Sequence, residues 1–285
     1  MKKKSLFIPF LLLPIIVFCQ PKPILHWDFE NSDGHNIVER ITNVADSVSG
    51  YFSLVETGYT GKAYKPDGFT ACMHVNSMKD ISIEGSFTIA SWISQAAYPW
   101  NWVPVIASMQ QGRQRQEGTR GFYFAVGPKG QLGLDLFIEG ELYRCISDDY
   151  TLPLNQWNHV AATFSEASGI TLYIDGKQAG NTPVNKTFTL PGRPETLIGM
   201  NYTSAKPSDI PRQYGTLPYW FSFDGEIDEL KRFNTALNAD QLDADNALAG
   251  KNAPYASRRM PSVKKTDSFG ASYTKLSYYD EWDAL

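Results

Sequence analysis

Two segments of this 285-residue chain constrain its fold more than the rest of the sequence does. Along Trp157–Gly180, two runs of alternating apolar residues follow one another, and the second run ends at Asp175-Gly176. Alternation that ends in an Asp-Gly turn is typical of β-hairpins with one buried face. This segment is therefore predicted to form hairpin strands.

The second segment, Phe223–Leu242, is predicted to form a closing strand followed by a short helix. Asn238 is placed as the helix N-cap, and Gln241 follows three residues later, as in a capping box. Leu237 and Leu242 flank this cap in the positions of a hydrophobic staple. The helix is thus expected to begin directly after Asn238.

Other short runs across the chain have the length and alternation of strands. Aromatic residues make up 13% of the sequence, and 22 glycines and 17 prolines provide the tight turns that many short strands require. Strands at this density, without helices between them, favour an antiparallel sandwich. The predicted strands are Ile24–Phe29, Tyr51–Val55, Phe69–Val75, Phe87–Ile93, Val103–Met109, Gly121–Val126, Leu132–Ile138 and Leu142–Ile146.

The order of hairpin, closing strand and short helix resembles the LamG-like jelly-roll domains of the concanavalin A-like lectin/glucanase superfamily. The resemblance implies an all-β, antiparallel two-sheet jelly roll with a short C-terminal helix, covering residues 22–253. Domains of this kind mostly bind glycans or serve as non-catalytic spacer domains in larger secreted enzymes. A role in carbohydrate recognition is therefore expected.

The two ends of the chain predict segments outside this domain. Residues 1–19 have the lysines and the apolar run of a signal peptide, so we expect a secreted, periplasmic or cell-surface protein. Residues 254–266 are basic and contain prolines, which favours a linker. Residues 267–285 become aromatic again and predict the start of a second, truncated domain.

The net charge of the chain limits which classes of binding partner are expected. The net charge of −4 provides no basic field, so neither nucleic acid nor an anionic membrane is an expected partner, and signal removal leaves no membrane segment. Removal of the signal would leave Cys72 and Cys145. They could form a disulfide in an oxidising compartment or remain two buried thiols, and the sequence leaves both possibilities open.

Two aromatic clusters are predicted to bind carbohydrate, because exposed rings cover the apolar faces of sugars. One follows Trp92, where Pro99 and Pro104 would stiffen the loop, and the other precedes the closing strand. The alternative is packing, with Trp27, Trp92 and Trp157 expected in the core. The predicted sugar-binding residues are Tyr98, Trp100, Asn101, Trp102, Tyr219 and Trp220.

The resemblance also implies a structural calcium ion where the first loop meets the last strand. Calcium takes carboxylate and carbonyl oxygens as ligands. The last strand offers Asp228 and Glu229, and the first loop offers three further residues of suitable type. The predicted metal ligands are Asp28, Asn31, Asp33 and Asp228.

Catalysis by the sandwich itself is the least favoured prediction. Family 16 glycoside hydrolases share this fold and carry Glu-x-Asp-x-Glu on one strand, with two glutamates doing the chemistry. Glu226 and Asp228 match the first two positions, but the third falls on Leu230, or on Lys231 if the strand is bulged. No catalytic residue is therefore predicted.

These observations together predict a non-catalytic carbohydrate-binding accessory module of a secreted polysaccharide-degrading protein. Its expected partners are a polysaccharide or oligosaccharide and a C-terminal domain of the same polypeptide. One alternative is a structural spacer that packs on a catalytic domain beyond Leu285. The other is a glycoside hydrolase in its own right.

Overall fold

The computed structural model describes residues 21–99, 101–110, 120–190, 192–200, 222–248, 263–266 and 272–275. Strands dominate this part of the chain, as the sequence predicts. The strands are β1 (Leu25–Trp27), β2 (Ser32–Asp33), β3 (Asn36–Val38), β4 (Ala45–Ser49), β5 (Phe52–Val55), β6 (Ala63–Pro66), β7 (Cys72–His74), β8 (Ile83–Glu84), β9 (Phe87–Gln95), β10 (Val103–Gln110), β11 (Arg120–Val126), β12 (Leu132–Ile138), β13 (Glu141–Ile146), β14 (Asn158–Ser165), β15 (Gly169–Ile174), β16 (Lys177–Thr182), β17 (Thr189–Leu190), β18 (Glu195–Ile198), β19 (Gly225–Phe233), β20 (Val263–Thr266) and β21 (Ser272–Lys275).

Two antiparallel sheets form the sandwich. The first has the order β16-β15-β14-β9-β19-β6-β5, and β1 also pairs with β19. The second has the order β13-β12-β11-β10-β18-β7-β4-β3-β2. One apolar core joins the two sheets, and it includes fully buried Trp27, Phe87, Phe122 and Phe124. The all-β, two-sheet prediction is confirmed.

The predicted hairpin lies in the first sheet. Strands β14 and β15 pair antiparallel, and β15 continues through Asp175-Gly176 into β16. Both turn residues have positive φ, 48° at Asp175 and 75° at Gly176, as a type I′ turn requires. The Asp175 carboxylate also accepts the backbone N–H of His159 at 2.8 Å, which ties this turn to the start of β14.

Helix α1 (Ala239–Leu248) follows β19 and begins where the capping residues predict. The Gln241 backbone N–H donates to Asn238 Oδ1 at 2.9 Å, and the Asn238 N–H donates to Gln241 Oε1 at 3.0 Å. Leu237 and Leu242 are both buried, in one cluster with Phe233 of β19. The helix therefore covers the outer face of the first sheet through this apolar contact.

Near the C-terminus, Val263–Thr266 and Ser272–Lys275 pair as a two-stranded antiparallel hairpin. Its first strand lies within the segment predicted as a linker, so the last four residues of that segment are extended and paired. The predicted signal peptide lies outside the described residues, and so does most of the predicted tail domain. Within the described ranges, no helix is both long and apolar enough to cross a membrane.

Both cysteines that follow the predicted signal are free and buried. Of the two possibilities left open, the structure therefore shows two buried thiols. Burial raises the pKa of Cys72 to about 12, and it also raises the pKa of Cys145, so neither sulfur has thiolate character.

Candidate functional site

An aromatic surface lies around the turn between β11 and β12. Trp102 is partly exposed, and its ring packs on two glycines, Gly127 and Gly133. A β-carbon at Gly133 would lie 2.6 Å from Cζ3 of this ring, and one at Gly127 would lie 2.9 Å from its Cη2. The ring therefore lies directly against the backbone of β12, on the face opposite to core residues Leu132 and Leu134.

Local hydrogen bonds fix the backbone that carries this ring. Asn101 is buried, and its Oδ1 accepts the backbone N–H of Trp102 at 2.9 Å. The Tyr123 hydroxyl donates to the Trp102 carbonyl at 2.9 Å. Burial raises the pKa of Tyr123, so this hydroxyl stays protonated as a donor. Asn101, predicted to contact sugar, thus positions Trp102.

Two tyrosines stand on the same turn. A β-carbon at Gly130 would lie 2.6 Å from Cε1 of Tyr98, so the Tyr98 ring packs on the turn that Trp102 also contacts. Tyr150 meets Tyr98 edge-on, with ring centroids 5.9 Å apart, and is 65% exposed. The structure thereby brings predicted residues Tyr98 and Trp102 to one turn and adds Tyr150.

A charged pair lies beside the Trp102 ring. Arg144 Nε donates to Asp135 Oδ1 at 2.6 Å, and Arg144 Nη2 donates to Asp135 Oδ2 at 2.5 Å. The Arg144 guanidinium carbon is 6.0 Å from the Trp102 ring centroid, at the limit of a cation–π contact. The bond to Asp135 raises the pKa of Arg144, so the guanidinium keeps its charge.

The sequence contains a signal for this pair that the predictions did not use. Glu139 and Gly140 both have positive φ and form a two-residue turn between β12 and β13. Counting outward from such a turn places Asp135 opposite Arg144, which is the register observed. We will call Trp102, Tyr98, Tyr150, Asp135 and Arg144 the Trp102 surface.

The remaining predicted sugar-binding residues, Trp100, Tyr219 and Trp220, lie outside the described residues. Of the three tryptophans expected in the core, only Trp27 is fully buried there. Trp92 and Trp157 are half-buried and do not belong to the main core. For Trp92 the reason is the alternation of β9, where Ile89, Ser91 and Ile93 face inward and Trp92 therefore faces outward.

Trp92 instead holds a loop against the outer face of the first sheet. Tyr59 stacks on Trp92 with ring centroids 3.5 Å apart, and Trp157 meets Tyr59 edge-on at 6.3 Å. The neighbouring Thr60 N–H donates to Asp228 Oδ2 at 2.8 Å. We will call Tyr59, Trp92 and Trp157 the second aromatic cluster. It packs a loop against the buried Asp228 carboxylate and therefore has a structural role.

The predicted calcium ligands have different surroundings. Asp28 is buried, with its carboxylate bound to Arg40 at 3.3 Å and to the Glu30 N–H at 3.2 Å. Asn31 and Asp33 are exposed. Within the described ranges, no group of three or more His, Cys, Asp or Glu side chains is arranged to hold a metal ion. Calcium therefore stays a prediction.

Asp228 is the predicted ligand with the most unusual environment. It is fully buried, and its carboxylate accepts the Thr60 N–H at 2.8 Å and the Glu229 N–H at 2.7 Å. Burial, together with the negative charges of Glu229 and Glu30, raises the pKa of Asp228 to about 8. Among the described residues, two neighbouring carboxylates therefore add negative charge to the surroundings of this buried group.

The closing strand contains a bulge that decides the third position of the glycosidase pattern. The pairing of β19 with β9 shifts register between Asp228 and Lys231, and Glu229 has a φ of 50°. Glu226 and Asp228 share a face, and after the bulge Lys231 takes that face. A second glutamate is thus not provided by this strand, and the required pair of carboxylates is incomplete there.

The two antiparallel sheets packed on one apolar core define a jelly-roll domain. A model of the concanavalin A-like lectin/glucanases superfamily, Laminin_G_3, matches residues 67–243. The match spans more than half of the chain, and the chain belongs to this family. No curated protein matches the chain in sequence.

Solved structures of the same architecture are similar at low identity. Domain 4 of AbnA, a GH43 extracellular arabinanase from Geobacillus stearothermophilus, solved with arabinotriose, has 16% identity and a TM-score of 0.55, covering 81% of this chain and 100% of that domain. The botulinum neurotoxin serotype G binding domain has 12% identity and a TM-score of 0.56, covering 80% and 51%. A Trypanosoma rangeli sialidase has 14% identity and a TM-score of 0.52, covering 81% and 33%. These similarities establish the fold.

Proposed function

We propose that this domain is a non-catalytic carbohydrate-binding module and that the Trp102 surface is its binding site. The observation that carries the proposal is the Trp102 ring, partly exposed and lying on Gly127 and Gly133 beside the Arg144–Asp135 pair. An aromatic ring beside charged hydrogen-bonding groups matches a sugar, which has an apolar face and polar edges.

The fixed position of the ring favours binding. Asn101 and Tyr123 hold the Trp102 backbone, so a ligand would have little conformational entropy to remove from this residue. On the same strand face as Arg144, Leu142 and Ile146 are 47% and 39% exposed and extend the apolar area. A shallow site of this kind is expected to bind with micromolar affinity or weaker, about −8 kcal/mol or less in magnitude.

The comparisons support the ligand class. One similar domain was solved with arabinotriose, and another similar structure is a botulinum neurotoxin binding domain in complex with N-acetylneuraminic acid. We extend carbohydrate binding from those proteins to this chain as part of the proposal. The wider setting is also proposed: a secreted protein in which this module serves a polysaccharide-degrading domain of the same polypeptide.

The test is affinity electrophoresis of the full chain in gels that contain plant and algal polysaccharides. Wild-type protein should be retarded in at least one gel, and Trp102→Ala should lose most of that retardation. The matched control is Trp157→Ala, which removes an indole from the second aromatic cluster. Equal retardation of wild type and Trp102→Ala would exclude this surface, and loss only in Trp157→Ala would move the site to the other sheet.

A calcium ion near Asp228 is a further proposal. Asp228 is buried next to the negative charges of Glu229 and Glu30, and a divalent cation bound there would offset these charges. After treatment with EDTA, added calcium should raise the melting temperature of the wild type but not of Asp228→Asn. The same shift in both proteins, or no shift in either, would exclude this position.

A further inference from the structure

The Asp135–Arg144 ion pair determines which charges and hydrogen-bonding groups the Trp102 surface presents to a ligand. Both contacts are short and nearly equal, 2.6 Å from Nε and 2.5 Å from Nη2, so the guanidinium faces the carboxylate with two parallel bonds. The Asp135 side chain is 14% exposed and the Arg144 side chain 45% exposed. The pair is therefore accessible mainly from the arginine side, next to Trp102.

This geometry favours a ligand that both donates and accepts hydrogen bonds. A guanidinium has five N–H donors, and two of those on Arg144 are used by Asp135. A carboxylate can accept about four hydrogen bonds, so Asp135 has acceptor capacity beyond these two. Neighbouring hydroxyl groups of a sugar can donate to Asp135 and accept from Arg144 together.

An anionic sugar would meet an unfavourable environment in the same place. Its carboxylate would have to compete with Asp135 for the two paired donors of Arg144. It would also lie close to the Asp135 charge, and like charges repel strongly at short range near a protein surface. The pair therefore attracts hydroxyl groups and opposes a second negative charge.

The other charges on the adjacent turn are also paired. Lys129 Nζ lies 3.0 Å from Asp149 Oδ2, and Asp149 Oδ1 accepts Gln131 Nε2 at 2.7 Å. The bond to Lys129 lowers the pKa of Asp149, so this second pair is ionised as well. Each of the two cations beside Trp102, Arg144 and Lys129, is thus already bound to a carboxylate.

We propose that the Trp102 surface selects neutral glycans and that Asp135 sets this specificity by occupying Arg144. The inference rests on the proposed function and adds the class of ligand. It predicts that Asp135 acts in two ways. It contributes hydrogen bonds to a neutral sugar, and it keeps the Arg144 guanidinium from binding a carboxylate.

The experiment compares highly methyl-esterified pectin with its de-esterified polygalacturonate, which share a galacturonan backbone and differ in whether the carboxyl group is a neutral methyl ester or a charged carboxylate. Neutral arabinan, galactan and xylan complete the panel. Retardation of wild type should occur with neutral chains and be weak with polygalacturonate. Asp135→Asn should bind the neutral ligand about 10-fold more weakly, and it should gain binding to polygalacturonate that decreases with salt. Arg144→Gln should lose neutral binding without gaining the anionic ligand.

The matched control is Asp80→Asn, which breaks the exposed Arg193–Asp80 pair and should change neither affinity. Wild type that binds polygalacturonate in preference to neutral chains, with loss in Trp102→Ala, would overturn the neutral specificity and leave the proposed function standing. Asp135→Asn with unchanged affinities would also overturn it. Wild type that binds nothing, or binds equally well as Trp102→Ala, would overturn the proposed function and this inference with it.

Discussion

The ring of Trp102 and the backbone of Gly133 lie so close together that no β-carbon fits between them. A β-carbon at Gly133 would come within 2.6 Å of Cζ3 and 3.1 Å of Cη2. Gly133 is not among the residues with positive φ, so its backbone would accept any residue. Glycine is needed at this position for the space that it leaves to the indole.

The change Gly133→Ala should therefore move the Trp102 ring while leaving the sandwich folded. We expect glycan binding to weaken about 10-fold, which corresponds to about 1.4 kcal/mol. Affinity gels measure the binding, and circular dichroism checks the fold. Gly192→Ala is the control, because a β-carbon there meets its nearest atom at an ordinary 3.4 Å. Unchanged binding in Gly133→Ala would show that the ring position does not matter.

Lys231 links the closing strand to helix α1 inside the protein. Its Nζ lies 3.3 Å from Glu229 Oε2 and 3.1 Å from Asp245 Oδ2, and Glu229 Oε2 lies 2.9 Å from His26 Nε2. Burial alone would raise the pKa of Glu229. The hydrogen bonds and positive charges of His26 and Lys231 outweigh that effect, so the pKa of Glu229 is lowered overall. These partners therefore stabilise the Glu229 carboxylate in its charged form.

Lys231→Met should destabilise the fold strongly, because it leaves two buried carboxylates without their shared cation. We expect a loss of about 3 kcal/mol in the free energy of unfolding, measured by urea denaturation. Lys177→Met, on an exposed position of β16, is the control and should change stability little. A loss below about 1 kcal/mol for Lys231→Met would contradict a buried, stabilising charge network.

Arg232, the next residue, should show the opposite behaviour. It is 1% exposed, and Nη2 reaches the Ser82 carbonyl at 3.3 Å, whereas Nε and Nη1 find no hydrogen-bond partner in the part of the chain that the structure describes. Burial lowers the pKa of Arg232 to about 10, a sign that its charge is poorly compensated. Arg232→Met should keep the packing and raise the free energy of unfolding by about 1 kcal/mol or more. A clear loss of stability in the same urea experiment would refute this expectation.

Asp228 should make stability depend on pH in a definite direction. Its pKa is raised from 3.8 to about 8 in the folded protein, so the folded state keeps a proton that the unfolded chain releases. The free energy of unfolding should then fall as pH rises from about 4 to about 8, by at most about 1.4 kcal/mol per pH unit from this group. Urea denaturation at pH 5 and pH 8, with EDTA present, should show a smaller fall in Asp228→Asn. Equal falls in both proteins would assign the pH dependence to other groups.

Local patterns were predictable because their interactions lie within a few residues. The Asp175-Gly176 turn, the capping pair of Asn238 and Gln241, and the alternation of β9 each follow from neighbouring residue types and backbone preferences. The resemblance carried by those patterns also gave the correct family and sandwich. The strand order of the two sheets was not predicted, because pairing partners can be far apart in the sequence.

The candidate site required the tertiary structure. From the sequence, the aromatic residues could be either exposed for sugar binding or packed in the core. Composition does not distinguish Trp27, which is buried in the core, from Trp92, which faces outward. The sequence by itself determined the hairpin turns, the helix cap and hence the family. Only the tertiary structure decided that Trp102 lies on Gly133 beside Arg144, because that contact depends on how three separate strands and a loop meet in space.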